Sequence, residues 1–89
     1  MTEKTLLIGS LSNDLLRVAN LTFRGSTIAA QKFLIEAKKW ATELQKHTLK
    51  EYISKIILDV LTDTNLTLER AEKLLMYSTL LQNYTLKNR

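Results

Sequence analysis

The sequence predicts an all-α fold: a small bundle of three to four helices, with a long second helix as its spine. Three observations carry this. Proline is absent and only Gly9 and Gly25 are glycine in 89 residues, too few turn-formers for an all-β chain. Apolar residues recur at helical spacing along nearly the whole length. Hydrophobic residues make up 45% and charged residues 25%, which is ordinary for a folded chain and too apolar for a disordered one. Two cores would leave each half below about 50 residues, so a single helical domain over 1–89 is expected.

The first helix is predicted from about Thr5 to Phe23. Leu11, Leu15, Val18 and Thr22 are spaced 4, 3, 4, with Ile8 in phase before them. Gly9 and the polar stretch Ser10, Ser12, Asn13, Asp14 offer Ser10 or Ser12 as alternative N-caps. Arg24-Gly25 should end the helix, since glycine readily takes the left-handed conformation there.

The second helix follows a cap at Ser26 or Thr27. Ala30, Phe33, Ala37, Trp40, Leu44 and His47 recur at 3, 4, 3, 4, 3, widened by Leu34 and Ala41. Its 21 residues would make a rod of roughly 32 Å. A capping-box match, Thr48-Leu49-Lys50-Glu51, separates it from the third helix. One long kinked helix is the alternative.

The third helix carries Leu49, Tyr52, Ile53, Ile56, Ile57, Val60 and Leu61 on one broad face, with Glu51 and Lys55 well placed to pair. Thr62 to Asn65 reads as a loop. The fourth helix starts near Thr67, with Glu69 favouring the helix dipole and Lys73 four residues beyond it. Residues 74–81 are apolar on nearly every face, and a domain this small can hardly enclose such a helix. The spare surface implies a partner or a second copy. At an offset of 45, Asp14, Leu16, Asn20, Leu21 and Thr22 match Asp59, Leu61, Asn65, Leu66 and Thr67.

The net charge is +4, unevenly spread. Between residues 15 and 50 the basic side chains Arg17, Arg24, Lys32, Lys38, Lys39, Lys46 and Lys50 face only Glu36 and Glu43. Residues 51–72 reverse this, with Glu51, Asp59, Asp63, Glu69 and Glu72 against Lys55 and Arg70. Nucleic-acid binding through Arg17 to Lys50 is therefore an alternative reading. It is not favoured, because Lys32, Glu36, Lys39, Glu43 and Lys46 alternate along one stripe, and each Glu repels a phosphate backbone.

Without cysteine, disulfides, thiolate metal sites and cysteine nucleophiles are excluded. His47 is the single histidine, which leaves a transition-metal site or a serine triad without support. No glycine-rich phosphate loop or calcium loop is present. Glu69 with Glu72, and Asp59 with Asp63, read as structural carboxylates. His47-Thr48-Leu49-Lys50 resembles the phosphoacceptor core of histidine phosphotransfer domains, which are four-helix bundles with an exposed histidine. That resemblance implies phosphate transfer at His47. Glu51 and Tyr52 stand where that family carries a glycine or small residues.

No stretch approaches the roughly 20 apolar residues of a spanning helix, and the start Met-Thr-Glu-Lys lacks a leader's basic and apolar regions. Three N-x-T sequons (Asn20, Asn65, Asn83) carry no meaning without secretion. The expectation is a cytoplasmic, non-enzymatic protein-interaction or regulatory module without cofactor or metal. Its partner is a protein or a second copy, as a homodimer. The residues expected to make the contact are Leu74, Met76, Tyr77, Leu80, Leu81 and Tyr84 of the last helix, with Trp40 as a possible anchor.

Overall fold

Helix α1 (Glu3–Phe23) starts from Thr2, whose side-chain oxygen accepts the backbone N–H of Thr5 at 3.1 Å. The computed structural model describes residues 2–63 and 65–88; Thr64, in the expected third loop, lies outside the described residues. These residues form four helices, with no strand among them. Gly9 and its polar neighbours lie inside α1 and do not precede it. Thr2 already supplies the cap, and Ser12 and Asp14 turn inward to partners on other helices.

Gly25 closes α1 as expected. Its φ of +79° is left-handed, the Ser26 N–H bonds the Leu21 carbonyl at 2.9 Å, and the Gly25 N–H bonds that of Thr22 at 3.0 Å. Those two bonds satisfy carbonyls that the helix end leaves without an N–H partner.

Helix α2 (Thr27–Leu44) begins after Ser26, whose side chain makes no cap hydrogen bond. Its buried line is Ala30, Leu34, Ala37, Ala41 and Leu44. The expected seam through Phe33 and Trp40 is thus rotated: those two are half-buried on the flank, and three alanines occupy the contact. Small side chains there let neighbouring backbones approach, which a central Trp would prevent. The helix stops at Leu44, short of His47.

Helix α3 (Glu51–Thr62) starts after Lys50, so α2 and α3 are separate rods. The expected Thr48 capping box does not form. Glu51 is the first helical residue, and the Thr48 carbonyl instead accepts the Lys4 ammonium at 3.2 Å. Helix α4 (Leu68–Lys87) is capped by Thr67 through the Arg70 N–H at 3.0 Å, in line with its predicted start.

Helix α1 packs along both α2 and α4, while α2 also meets α3. The spine is therefore α1, not α2. Gly9 lies beside Thr85 and Ser12 beside Ser78, so α1 and α4 run antiparallel. All four helices feed one core, including Ile8, Leu11, Leu15, Leu44, Ile53, Ile57, Leu74 and Leu81. Among the described residues, every buried side-chain nitrogen and oxygen has a hydrogen-bond partner.

Candidate interaction surface

The seven expected contact residues do not form one surface. Leu74 and Leu81 are fully enclosed, and Tyr77 and Tyr84 nearly so: α1 packs along α4, and Asp59 of α3 accepts the Tyr77 hydroxyl. Those four are core, unavailable to a partner while the bundle is intact. Met76 and Leu80 do face outward, at 50% and 38% exposure. Trp40 is half-buried, and its indole N–H donates to Asp14 Oδ2 at 2.8 Å, so its polar edge is already engaged within the chain.

Asp14 is buried, and that burial pushes its carboxyl above the ordinary 3.8, against the hydrogen bond from Trp40 and the Arg17 charge. Its counterpart at the offset of 45, Asp59, is held differently. Burial opposes ionisation of Asp59 too, but hydrogen bonds from Tyr77 and Arg70, with the Arg70 charge, outweigh it and keep the carboxyl below 3.8. Arg70 Nη1 reaches Asp59 Oδ2 at 2.9 Å, Nη2 reaches the Asp59 carbonyl at 3.1 Å, and Nε lies 3.6 Å from Asp63 Oδ2. Lys73 adds a contact at 3.3 Å.

This cluster fastens the end of α3 to α4. It was not anticipated, since Lys73 was expected to pair with Glu69 on its own helix. Each carboxylate, Asp14 and Asp59, accepts a hydrogen bond from an aromatic residue on the helix that follows: Trp40 and Tyr77.

The outward side of the α1–α4 pair is chemically distinct. On α1, Leu6, Asn13, Leu16, Asn20 and Phe23 share the side turned towards α4 and solvent. On α4, Leu68, Glu72, Leu75, Thr79, Gln82 and Leu86 recur at 4, 3, 4, 3, 4 and lie alongside. Glu72 is the one charged residue in these two stripes; on α1 the exposed Glu3 and Arg17 border them, Arg17 turning towards Phe33 of α2. Leu6, Leu16, Phe23, Leu68, Leu75 and Leu86 are half of the twelve exposed large apolar side chains among the described residues. Between the stripes runs a groove of about 350 Å³ lined by Asn13, Leu16, Thr79, Gln82 and Asn83 over the buried Ser12 and Ser78.

Two of the basic side chains between residues 15 and 50 are engaged within the chain. Lys46 pairs with Glu43 at 3.1 Å, and Arg17 sits 5.2 Å over the Phe33 ring and 3.9 Å from Asp14. His47 lies half-buried in the connection between α2 and α3, where its backbone N–H donates to the Leu44 carbonyl at 3.0 Å. The resemblance to phosphotransfer domains implied an exposed histidine, and the end of α2 at Leu44 places it otherwise. Among the described residues no cluster of three or more His, Cys, Asp or Glu is placed to hold a metal ion, and no helix is long and apolar enough to cross a membrane. No protein-family model, curated protein or solved structure matches this chain.

Proposed function

We propose that this chain is a non-enzymatic protein-interaction module that works by presenting the outer face of the α1–α4 pair. One observation carries the reading: half of the exposed large apolar side chains lie on two adjoining helix stripes that carry a single charge, in a chain that is 25% charged. A contiguous apolar patch in water has a free-energy cost that contact with a partner removes. Leucines interleaved with amide and hydroxyl side chains supply both the apolar area and the polar contacts that such interfaces use.

Capture by the tagged protein from its native host, with nuclease and high-salt washes, tests this when wild type is compared with two variants. Leu16→Asp/Leu75→Asp charges the proposed face; Ile28→Asp/Ile35→Asp does the same to exposed isoleucines on α2. The expected result is a salt-resistant partner lost only with the first variant, at unchanged helicity. A partner lost with the α2 variant instead, or capture abolished by nuclease, overturns the proposal; the latter outcome moves function to the basic side chains.

A further inference from the structure

Resting on that reading, we infer that the occupant of the α1–α4 face is a second copy of this chain, docked across a twofold axis through the groove beside Ser12 and Ser78. The charge distribution is the first argument. Each copy carries +4, so two copies repel unless they meet where charge is sparse. A twofold contact sets equivalent residues around one axis, and charged groups near it would face their own kind. The groove offers Asn13, Thr79, Gln82 and Asn83, each both donor and acceptor, so the same residues can pair with their own copies.

Glu72 fits the same geometry. It lies seven to ten residues along α4 from Thr79 and Gln82, which at 1.5 Å per residue is roughly 10–15 Å from the axis. The two copies of Glu72 then stand about 20 Å or more apart, beyond the Debye length at physiological salt. A partner recruited by opposite charge would find stronger attraction at Lys32, Lys39 and Lys46 on α2.

Area is the second argument. Two helices of about 20 residues are roughly 30 Å long and, packed side by side, roughly 20 Å across. That gives about 600 Å² per copy, or about 1,200 Å² in total, enough for a specific dimer and without a large excess.

The absence of cysteine makes the test clean, because a single introduced thiol has no other reaction partner in the chain. Sedimentation equilibrium of the full chain is expected to give a dimer. Leu16→Asp, at a side chain already exposed, should give a helical monomer. Gln82→Lys, which removes no buried surface, should do the same by setting like charges beside the axis. Under mild oxidation Thr79→Cys should form disulfide dimers about tenfold faster than Lys39→Cys on the outer side of α2, because the dimer raises its effective concentration.

A wild-type chain that stays monomeric at high micromolar concentration overturns the second copy as occupant. The interaction-module reading then stands or falls separately, on whether Leu16→Asp/Leu75→Asp releases a different protein. A dimer unaffected by both Leu16→Asp and Gln82→Lys, or one that cross-links best through Lys39→Cys, also overturns the inference.

Discussion

Ser12 on α1 and Ser78 on α4 exchange hydrogen bonds across the buried seam between their helices. Ser12 Oγ donates to the Ser78 carbonyl at 2.7 Å, Ser78 Oγ donates to the Ser12 carbonyl at 2.8 Å, and the two hydroxyls lie 3.2 Å apart. Such reach is possible only because both side chains are small, so the bonds report a close approach of the two backbones. The seam forms the floor of the groove that holds the proposed interface.

Substitutions at Ser78 should therefore separate lost bonding from lost space. Ser78→Ala removes one donor and leaves the helix carbonyls their own ladder partners, so a cost of about 1 kcal/mol is expected. Ser78→Leu must force α1 and α4 apart, and overpacking of this kind costs about 1–3 kcal/mol beyond that. Urea unfolding at one fixed protein concentration reads both. A leucine variant as stable as the alanine variant would show the seam to be looser than these distances imply.

Buried Asp14 and half-buried Asp59 should shift stability with pH in opposite directions. The folded-state carboxyl of Asp59 lies below 3.8, so its contribution is fully present above that value and lost as pH falls through the depressed one. Asp59→Asn leaves the buried Arg70 guanidinium with only the more distant Asp63 carboxylate, at 3.6 Å, and a loss of about 2 kcal/mol is expected at neutral pH, shrinking in acid. Asp14 is raised, so its contribution is present below 3.8 and fades as pH rises through its elevated value. Wild type should gain on Asp14→Asn as pH falls from neutral towards 4, because the amide can still accept from Trp40 while the buried charge is gone. Unfolding midpoints of the three proteins against pH give the two slopes; slopes of the same sign contradict these assignments.

Some features set by a few adjacent residues are legible in the sequence, although the equally local Thr48–Glu51 capping box does not form. The Thr67 cap, the Gly25 terminus and the Glu51–Lys55 pair, at 3.4 Å, all depend on neighbours within one turn. Features set by which helices are neighbours are not. Phe33 and Trp40 fit the heptad as well as Leu34 and Ala41 do, and only α1 against the alanines decides the phase. Residues 74–81 are apolar on nearly every face, and only the neighbours decide which are covered: Leu74, Tyr77, Ser78 and Leu81 are buried, while Leu75, Met76 and Leu80 keep the spare surface the sequence implies. Lys73 has an available partner in Glu69, yet α3 brings Asp59 within 3.3 Å. The sparsely charged stripes are visible in the sequence only separately, spaced 7, 3, 4 and 3 on α1 and alternately four and three on α4. Nothing local says that they lie side by side.

The two glycines should respond to alanine with opposite signs, because only one of them needs to be glycine. Gly9 is helical, and a Cβ there would meet its nearest neighbour, Thr85 Cγ2, at 3.8 Å, an ordinary contact. Gly9→Ala removes backbone freedom from the unfolded chain without a clash, so about 1 kcal/mol of added stability is expected. Gly25 has open space around it, but its φ of +79° is unfavourable for any residue with a Cβ. Gly25→Ala should lose about 1–2 kcal/mol from backbone strain alone. Asn, which tolerates the left-handed region better, should recover part of that loss at position 25. Thermal unfolding of the three variants, compared at equal oligomeric state, checks the ordering Gly9→Ala, wild type, Gly25→Asn, Gly25→Ala. A destabilised Gly9→Ala would show the α1–α4 seam beside Thr85 to be tighter than that 3.8 Å contact implies.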